Sequence, residues 1–467
     1  MTPPRERGEE TVAKTHRAID MTQGSPLSLI VRFSLPLLVG NAFQQLYNMV
    51  DSWVVGKFVG TTALAAVGIG FPVIFLLSSL FIGLSIGASV VIAQFIGAGD
   101  RDAVRRSVDT AYGTVMVSII PLTVFGLLVA GPVLRLIRVP ENVYGEAHIY
   151  LLVVFAGIIG SLGYNINAGI LQGLGDSKTP LIFLSIACVI NIVLDLVFVL
   201  VCGWGVFGVA FATIIAQVCS WVFGVCYINR KYDFFHISPL KIAIEKPLFK
   251  KILRLGIPSG IQQCQLAVAV LVLQTLINGF GEEFAAGYSV ANKIDTFAFL
   301  PVDSFCLAVT TYVGQNVGAG RLDRVQDGVR KAVVLCVVVC AAMSALVVPF
   351  SDFWISLFSP DPLVIAAGRA YLVRALSTMW LLAIMYPLNN ALRGAGSVIA
   401  PMISNIIALW GARVPVAYFL AYTFGKENLY WAYPVGWAIG IAISGTVYLR
   451  GRWKERCMVR LSPEHPT

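Results

Sequence analysis

What constrains this chain most is a recurrence. From Leu29 almost to the C-terminus, runs of about 20 residues nearly free of charge follow one another with short polar breaks between them. About 20 helical residues cross the ~30 Å hydrocarbon core of a bilayer. A helix also satisfies its own backbone amides and carbonyls, which lipid cannot do. Twelve such spans lie near residues 28–56, 63–97, 106–131, 145–174, 179–201, 205–229, 250–280, 284–318, 328–350, 363–394, 398–423 and 430–449. The chain therefore reads as an all-α integral membrane protein of twelve transmembrane helices. With 57% hydrophobic and 13% charged residues and a mean hydropathy of +0.79, it is too apolar for a soluble fold of 467 residues.

A net charge of +9 invites a nucleic-acid partner, yet the basic residues do not form one patch. Most fall in the N-terminal segment, the C-terminal tail and the loops after spans 2, 4, 6, 8 and 10. Lys57, Arg135, Arg138, Arg369 and Lys426 lie on the other side, and Lys293, Arg374 and Arg413 within spans. By the positive-inside rule both termini are cytoplasmic, and the chain is expected in the inner (plasma) membrane, in contact with the lipid bilayer and with no nucleic acid. The nine cysteines hold no CxxC pair, and His16, His148, His236 and His465 are isolated, so neither a metal site nor a cofactor is expected. Residues 1–25 read as a disordered cytoplasmic tail in which Met21 offers an alternative start, and residues 453–467 as a second cytoplasmic tail.

The sequence also matches itself. QFIGAGDRDAVRRSV from Gln94 returns as QNVGAGRLDRVQDGV from Gln315, and LQGLGDSKTP from Leu171 returns as LRGAGSVIAP from Leu392, both at an offset of 221 residues. Leu35-Pro36 returns as Ile257-Pro258. A register held over this distance marks a duplication. Each copy holds an even number of spans, so the copies are parallel repeats about an axis along the membrane normal, with a cavity expected between them. The expected division is a six-helix lobe over 26–230, a cytoplasmic linker over 231–249, and a second six-helix lobe over 250–452.

Within spans, ionisable groups are costly and point to function. Asp51 lies in NAFQQLYNMVDSWVVG, the first span, about 9 Å below the outer boundary at ~1.5 Å per residue. Asp195 in the fifth span lies at similar depth, with Asn191 one turn away on the same face and Thr213 of the sixth span level with it. Neither acid has a lysine or arginine at its depth. Burial and a second nearby carboxylate both disfavour the ionised form, so this pair should bind and release protons or hold a cation. In the second half, by contrast, Asp295 and Asp303 can meet Lys293, Arg374 and Arg413, and a structural ion-pair network of Lys293, Asp295, Arg374 and Arg413 is expected there. Pro36 shares a helix with Asp51, so a bend at Pro36 could respond to the charge on the acid.

These residues carry a resemblance. LYNMVDSWVVGKFVG in the first span, the repeated QxxGAG, the LxGxGxxxxP turns and ANKIDTFAFLP in the eighth span resemble the MATE (multidrug and toxic compound extrusion) transporters over about residues 25 to 452. The resemblance implies an ion-coupling site built from Asp51, Asn191 and Asp195, joined by Tyr150, Thr213 and Asn165, and a functional bend at Pro36. The NorM-type branch carries acids in spans 7 and 10, whereas IQQCQLAVAV and WLLAIMYPLNN here hold none. The arrangement is thus closer to the DinF-like branch.

The function implied is secondary active antiport. Amphipathic, cationic organic compounds leave in exchange for protons, or for sodium, by alternating access of a monomer. A substrate cavity is expected at Phe43, Gln44, Tyr47, Asn48, Gln265 and Phe297. A lipid-linked saccharide flippase of the same superfamily would share the duplicated bundle, but with more buried arginines in its cavity and often two further spans. No Walker motif and no metal or paired-acid motif at the membrane interface supports a pump or an enzyme.

Overall fold

The computed structural model describes residues 18–239 and 241–456, and these are helical with no strand among them. Ten helices are long and apolar enough to cross a membrane, and two further bent helix pairs bring the number to twelve. The first repeat comprises α1 (Pro26–Val54), α2 (Thr61–Gly97), α3 (Arg101–Leu136), the pair α4 (Glu141–Ala156) and α5 (Ile158–Gly173), α6 (Lys178–Leu196) and α7 (Gly205–Lys231). The second comprises α8 (Lys246–Asn278), α9 (Glu282–Gly318), α10 (Leu322–Val347), the short α11 (Ser351–Ser356), the pair α12 (Pro362–Leu376) and α13 (Met379–Gly394), α14 (Ile399–Ile406) with α15 (Val414–Phe424), and α16 (Ala432–Leu449). The linker is residues 232–245, shorter at both ends than expected. Part of it is packed down: Asn229 brackets Ile237 with two hydrogen bonds, and Phe235 and Ile237 are buried.

The duplication is visible in detail. Spans 4 and 10 are each broken, by 52° and 51°, at places related by the repeat offset. Neither break contains a proline: the first is at Gly157, the second at Ser377-Thr378. Pro36, Pro72, Pro121, Pro258, Pro301 and Pro387 all sit inside continuous helices. Local chemistry sets other ends. Asp100 caps α3 by accepting from the Ala103 amide, and Asp361 caps α12 ahead of a proline at its first position.

Membrane helices gain little from apolar burial against each other, so close backbone approach matters. Across the repeats, Gly83 and Gly87 of α2 meet Gly260 and Gly256 of α8, and a β-carbon at any of the four would run into the facing backbone. Farther along α2 and α9, toward the face that carries the N-terminal segment and the basic loops (here the basic face), the symmetry is reciprocal. Gly97 packs on the Gln315 carbonyl, and Gly318 on the Gln94 carbonyl. Gln94 Nε2 donates to the Gly394 carbonyl at 3.0 Å, and Gln315 Nε2 to the Gly173 carbonyl at 3.3 Å.

Residues 18–25, expected within a disordered tail, instead lie strapped across this seam; residues 1–17 are outside the described part. Ile19 N–H donates to Gly175 of the first repeat at 2.9 Å. Met21, fully buried, donates to Gln315 Oε1 at 3.0 Å and accepts from Asn316 at 2.9 Å. The Thr22 and Gly24 carbonyls accept from Arg321 and Arg324. The first turns of α1 follow the strap: Ile30, Phe33 and Leu37 share one apolar core with Val302, Phe305 and Cys336 of α9 and α10. In the expected second tail, Trp453 is likewise buried, stacked on Tyr448; residues 457–467 are outside the described part.

Candidate functional site

Two polar sites interrupt the apolar bundle. The first lies within the first repeat, where α1, α6 and α7 meet. The carboxylates of Asp51 and Asp195 face one another within hydrogen-bonding reach. One oxygen of each is buried without a hydrogen-bond partner among the described residues. With its amide nitrogen turned to the acid, Asn191 donates to Asp195 Oδ2 at 3.0 Å and accepts from Thr213 Oγ1 at 3.3 Å. The Tyr47 hydroxyl lies near Thr213, and Tyr150 lies near both acids. Val54, Val67, Val199 and Val209 wall the group off. Directly beyond each acid the helix widens into a π-helical stretch, Val55–Val59 after α1 and Val197–Val201 after α6, and the two stretches touch.

Asn165 does not join this group. The break at Gly157 carries it away on α5, where it donates to the Ser161 carbonyl and lines the second site. Pro36 lies on the stretch of α1 that packs against α9 and α10.

The second site is a cavity of about 810 Å³ between the repeats. Its wall is drawn mostly from the second repeat and includes Gln45, Gln262, Phe299, Asp303, Arg393 and Trp437. The residues expected to line it do not: Phe43, Gln44, Tyr47, Asn48, Gln265 and Phe297 are all off its wall. Phe43 and Phe297 point outward, 45% and 44% exposed, while Tyr47 serves the acid pair. Successive helical residues turn by about 100°, so Gln45 lines the cavity and Gln44 does not.

The network expected in the second repeat is not held by ion pairs: among the described residues, Lys293, Asp295, Arg374 and Arg413 form none with one another within 4.0 Å, although Asp295 and Arg413 are near enough to interact electrostatically. Arg374 pairs with Glu427 at 3.5 Å, and Lys293 enters no ion pair among the described residues. Asp295 instead accepts from Tyr371 at 2.9 Å, and Arg413 lies 3.2 Å over the Tyr433 ring. Arg413 ends a π-helical stretch, Ile407–Arg413. Arg393, at the end of the tenth span, is in the cavity, donating to Gln262 at 2.9 Å. A signal for it existed: the repeat has Gln172 at the matching place. No cluster of His, Cys, Asp and Glu among the described residues could hold a metal.

The MatE family model matches residues 36–197 and 258–419, one match per repeat. A probable multidrug resistance protein, YpnP, of Bacillus subtilis is 28% identical over 94% of this chain and 98% of its own length. The probable multidrug resistance protein NorM of Thermotoga maritima is 28% identical over 92% of this chain and 94% of its own. Among solved structures, one of a multidrug resistance MATE family transporter of the MOP superfamily in an outward-facing conformation has a TM-score of 0.84 at 25% identity. It spans 96% of this chain and all of that one.

Proposed function

The chain belongs to the MatE family of multidrug efflux transporters, and from that premise we propose that it exports amphipathic compounds bearing a cationic group in exchange for protons. It is a multi-pass membrane transporter of small organic compounds and not an enzyme. We place it in the inner membrane as a monomer with both termini cytoplasmic and the ion-coupling site in the first repeat, as in the DinF-like arrangement.

The observation that carries this reading is the facing pair Asp51 and Asp195, walled in by valines and without an ion-pair partner among the described residues. Two carboxylates that close and that dry repel unless a proton lies between them. The proton therefore belongs to the pair, not to either residue. Thr213, Asn191, Tyr47 and Tyr150 orient it. Protonation closes the pair and its loss drives α1 and α6 apart, which gives the proton different affinities for two arrangements of the repeats. Only such a difference lets a gradient do work.

The test is Asp51→Asn in inverted membrane vesicles. Proton-driven efflux should be lost while the protein still inserts and folds, and full retention of efflux refutes the assignment. A sodium gradient alone, at zero pH difference, should drive little transport. Strong sodium-driven efflux would assign the same oxygens to a hard cation instead.

A further inference from the structure

An apolar layer lies between the acid pair and the end of the bundle opposite the basic face, the outer end. Tyr150, beside the pair, packs there with Ala63 and Val67 in the first turns of α2 and with Val206 and Val209 in the first turns of α7. A proton arriving from that end crosses the layer only on groups able to carry it. Glu146 is such a group. It lies on the same face of α4 as Tyr150, one turn nearer the outer end, with about 6 Å between the two β-carbons. Helical side chains lean toward the N-terminus of their helix, which at Tyr150 is the direction of Glu146. Oε2 of Glu146 is buried with no hydrogen-bond partner, although the residue as a whole is partly exposed.

No ion pair among the described residues holds this carboxylate. Of the helices packed on α4, α2 carries no ionisable side chain, and α5 and α7 carry none at the outer end. On α3, Arg135 lies over the Tyr144 ring, with Arg138 just beyond the helix; on α4 itself, His148 stacks on Tyr144 and Glu141 is exposed in the first turn. The repeat separates function from packing. At the 221-residue offset Tyr150 returns as Tyr371, but Glu146 returns as Ala367, and Asp51 and Asp195 as Val272 and Val416. The second half builds the same broken span with alanine at this place, so the fold does not need the glutamate. The glutamate is present in the half that keeps both acids and missing from the half with valine at both positions. An unpartnered buried carboxylate oxygen costs stability, which a role in moving protons would explain.

We propose that Glu146 is the outer proton relay of the acid pair, collecting protons from external water and passing them through the Tyr150 hydroxyl to Asp51 and Asp195. The inference rests on the proton-exchange reading above and adds the route by which the proton arrives. In each transfer the protonated Glu146 carboxyl gives its proton to the Tyr150 oxygen as the Tyr150 O–H gives its own to a carboxylate of the pair. The tyrosine ends neutral, and the Glu146 carboxylate regains a proton from hydronium at the outer surface. Because the relay stands in the path and not at its end, it governs how fast the pair is protonated, not whether protonation is completed.

The test is kinetic. After a rapid drop in pH, time-resolved infrared difference spectra of the purified full chain in detergent follow the carboxylic-acid carbonyl band, and the part of that band missing in Asp51→Asn reports the pair. In Glu146→Gln this part should reach its full height but about tenfold more slowly or worse, which is the loss typical of a positioned proton carrier or less. Glu146→Asp, which keeps the carboxyl, should stay within about threefold of the parent. Tyr150→Phe should slow the rise as Glu146→Gln does, and the double variant should be no slower than the slower single one, because the two groups act in series. A Gln variant as fast as the parent, in protein that elutes and melts as the parent does, overturns the relay. So does an Asp variant as slow as the Gln variant, since shape and not the carboxyl would then matter. If no part of the band is lost in Asp51→Asn, the pair does not hold the proton, and the proton-exchange reading falls together with this inference. If that part is present but indifferent to Glu146, only the relay falls.

Discussion

Replacing Gln315 by leucine should open the basic face. The side chain accepts from Met21 N–H at 3.0 Å and donates to the Gly173 carbonyl at 3.3 Å, joining the strap, α9 and α5 in one buried spot. Leucine keeps the volume but makes neither bond and leaves a buried amide without an acceptor. Two lost bonds at about 1 kcal/mol each, and a further ~1 kcal/mol for the orphaned donor, sum to roughly 2–3 kcal/mol. When the basic face is open these contacts do not exist, so the cost falls on the closed arrangement alone. The closed-to-open ratio should then drop by roughly 30- to 150-fold. Asp102 and Asp323, exposed and related by the repeat offset in the first turns of α3 and α10, are suitable places for spin labels. Double electron-electron resonance between labelled Asp102→Cys and Asp323→Cys, with Cys202, Cys226 and Cys457 replaced by serine, reads the separation. Gln315→Leu should transfer population to the longer distance. An unchanged distribution in protein of unchanged stability would refute the view that this seam is a gate.

Gln94→Leu should act in the same direction, since Gln94 makes the mirror contact to the Gly394 carbonyl at 3.0 Å. Asp176→Ala tests stability rather than gating. Asp176 is buried at the basic end of the first repeat, bonded to Lys231 at 2.6 Å and to Thr179, so its loss should leave Lys231 unpaired at a cost of about 3–5 kcal/mol. Thermal melting in detergent should show a fall of several degrees, and an unchanged midpoint would mean that water replaces the carboxylate.

How much of this was legible in the sequence depended on whether the physics had a side-chain signature. Apolar length and the self-match give the spans and the repeat, because both are patterns of composition along the chain. Asp51 and Asp195 stand out because a carboxylate among valines and leucines has no innocent reason to be there. The breaks at Gly157 and Ser377-Thr378 left no such mark, and the prolines that drew attention lie in unbroken helices. Cavity lining was misread because all faces of a membrane helix are apolar, toward lipid or protein alike, so the rotation that selects Gln45 over Gln44 is not encoded in hydropathy. The strap was missed for a different reason. Four of its five hydrogen bonds across the seam end on its own backbone carbonyls or amides from side chains about 300 residues away, and the fifth joins backbone to backbone.

The distance between the two sites decides what kind of coupling is possible. None of Asp51, Asp195, Asn191 or Thr213 lines the central cavity, so in the proposed exchange a proton on the acid pair would not occupy the place of a substrate in that cavity. The proposed exchange is therefore coupled through the helices and not by direct competition. One element reaches both sites: α1 offers Gln45 to the cavity and, about 9 Å along its axis, Asp51 to the acid pair. Lower on the same helix, Asn41 bonds Ser304 of α9 at 3.3 Å, next to Asp303 in the cavity wall. Movement of α1 would thus be felt by both sites, and linkage requires the effect to be mutual: whatever factor a proton applies to substrate affinity, substrate applies to proton affinity. Asp51→Asn fixes α1 in one charge state. It should abolish substrate-evoked proton release from purified protein in weakly buffered detergent and hold substrate affinity, at every pH, at the limiting value that the unaltered protein reaches once its pair is protonated. A competitive site would show no such limit: in the unaltered protein affinity would keep falling, by about tenfold per pH unit, as protons displaced the substrate.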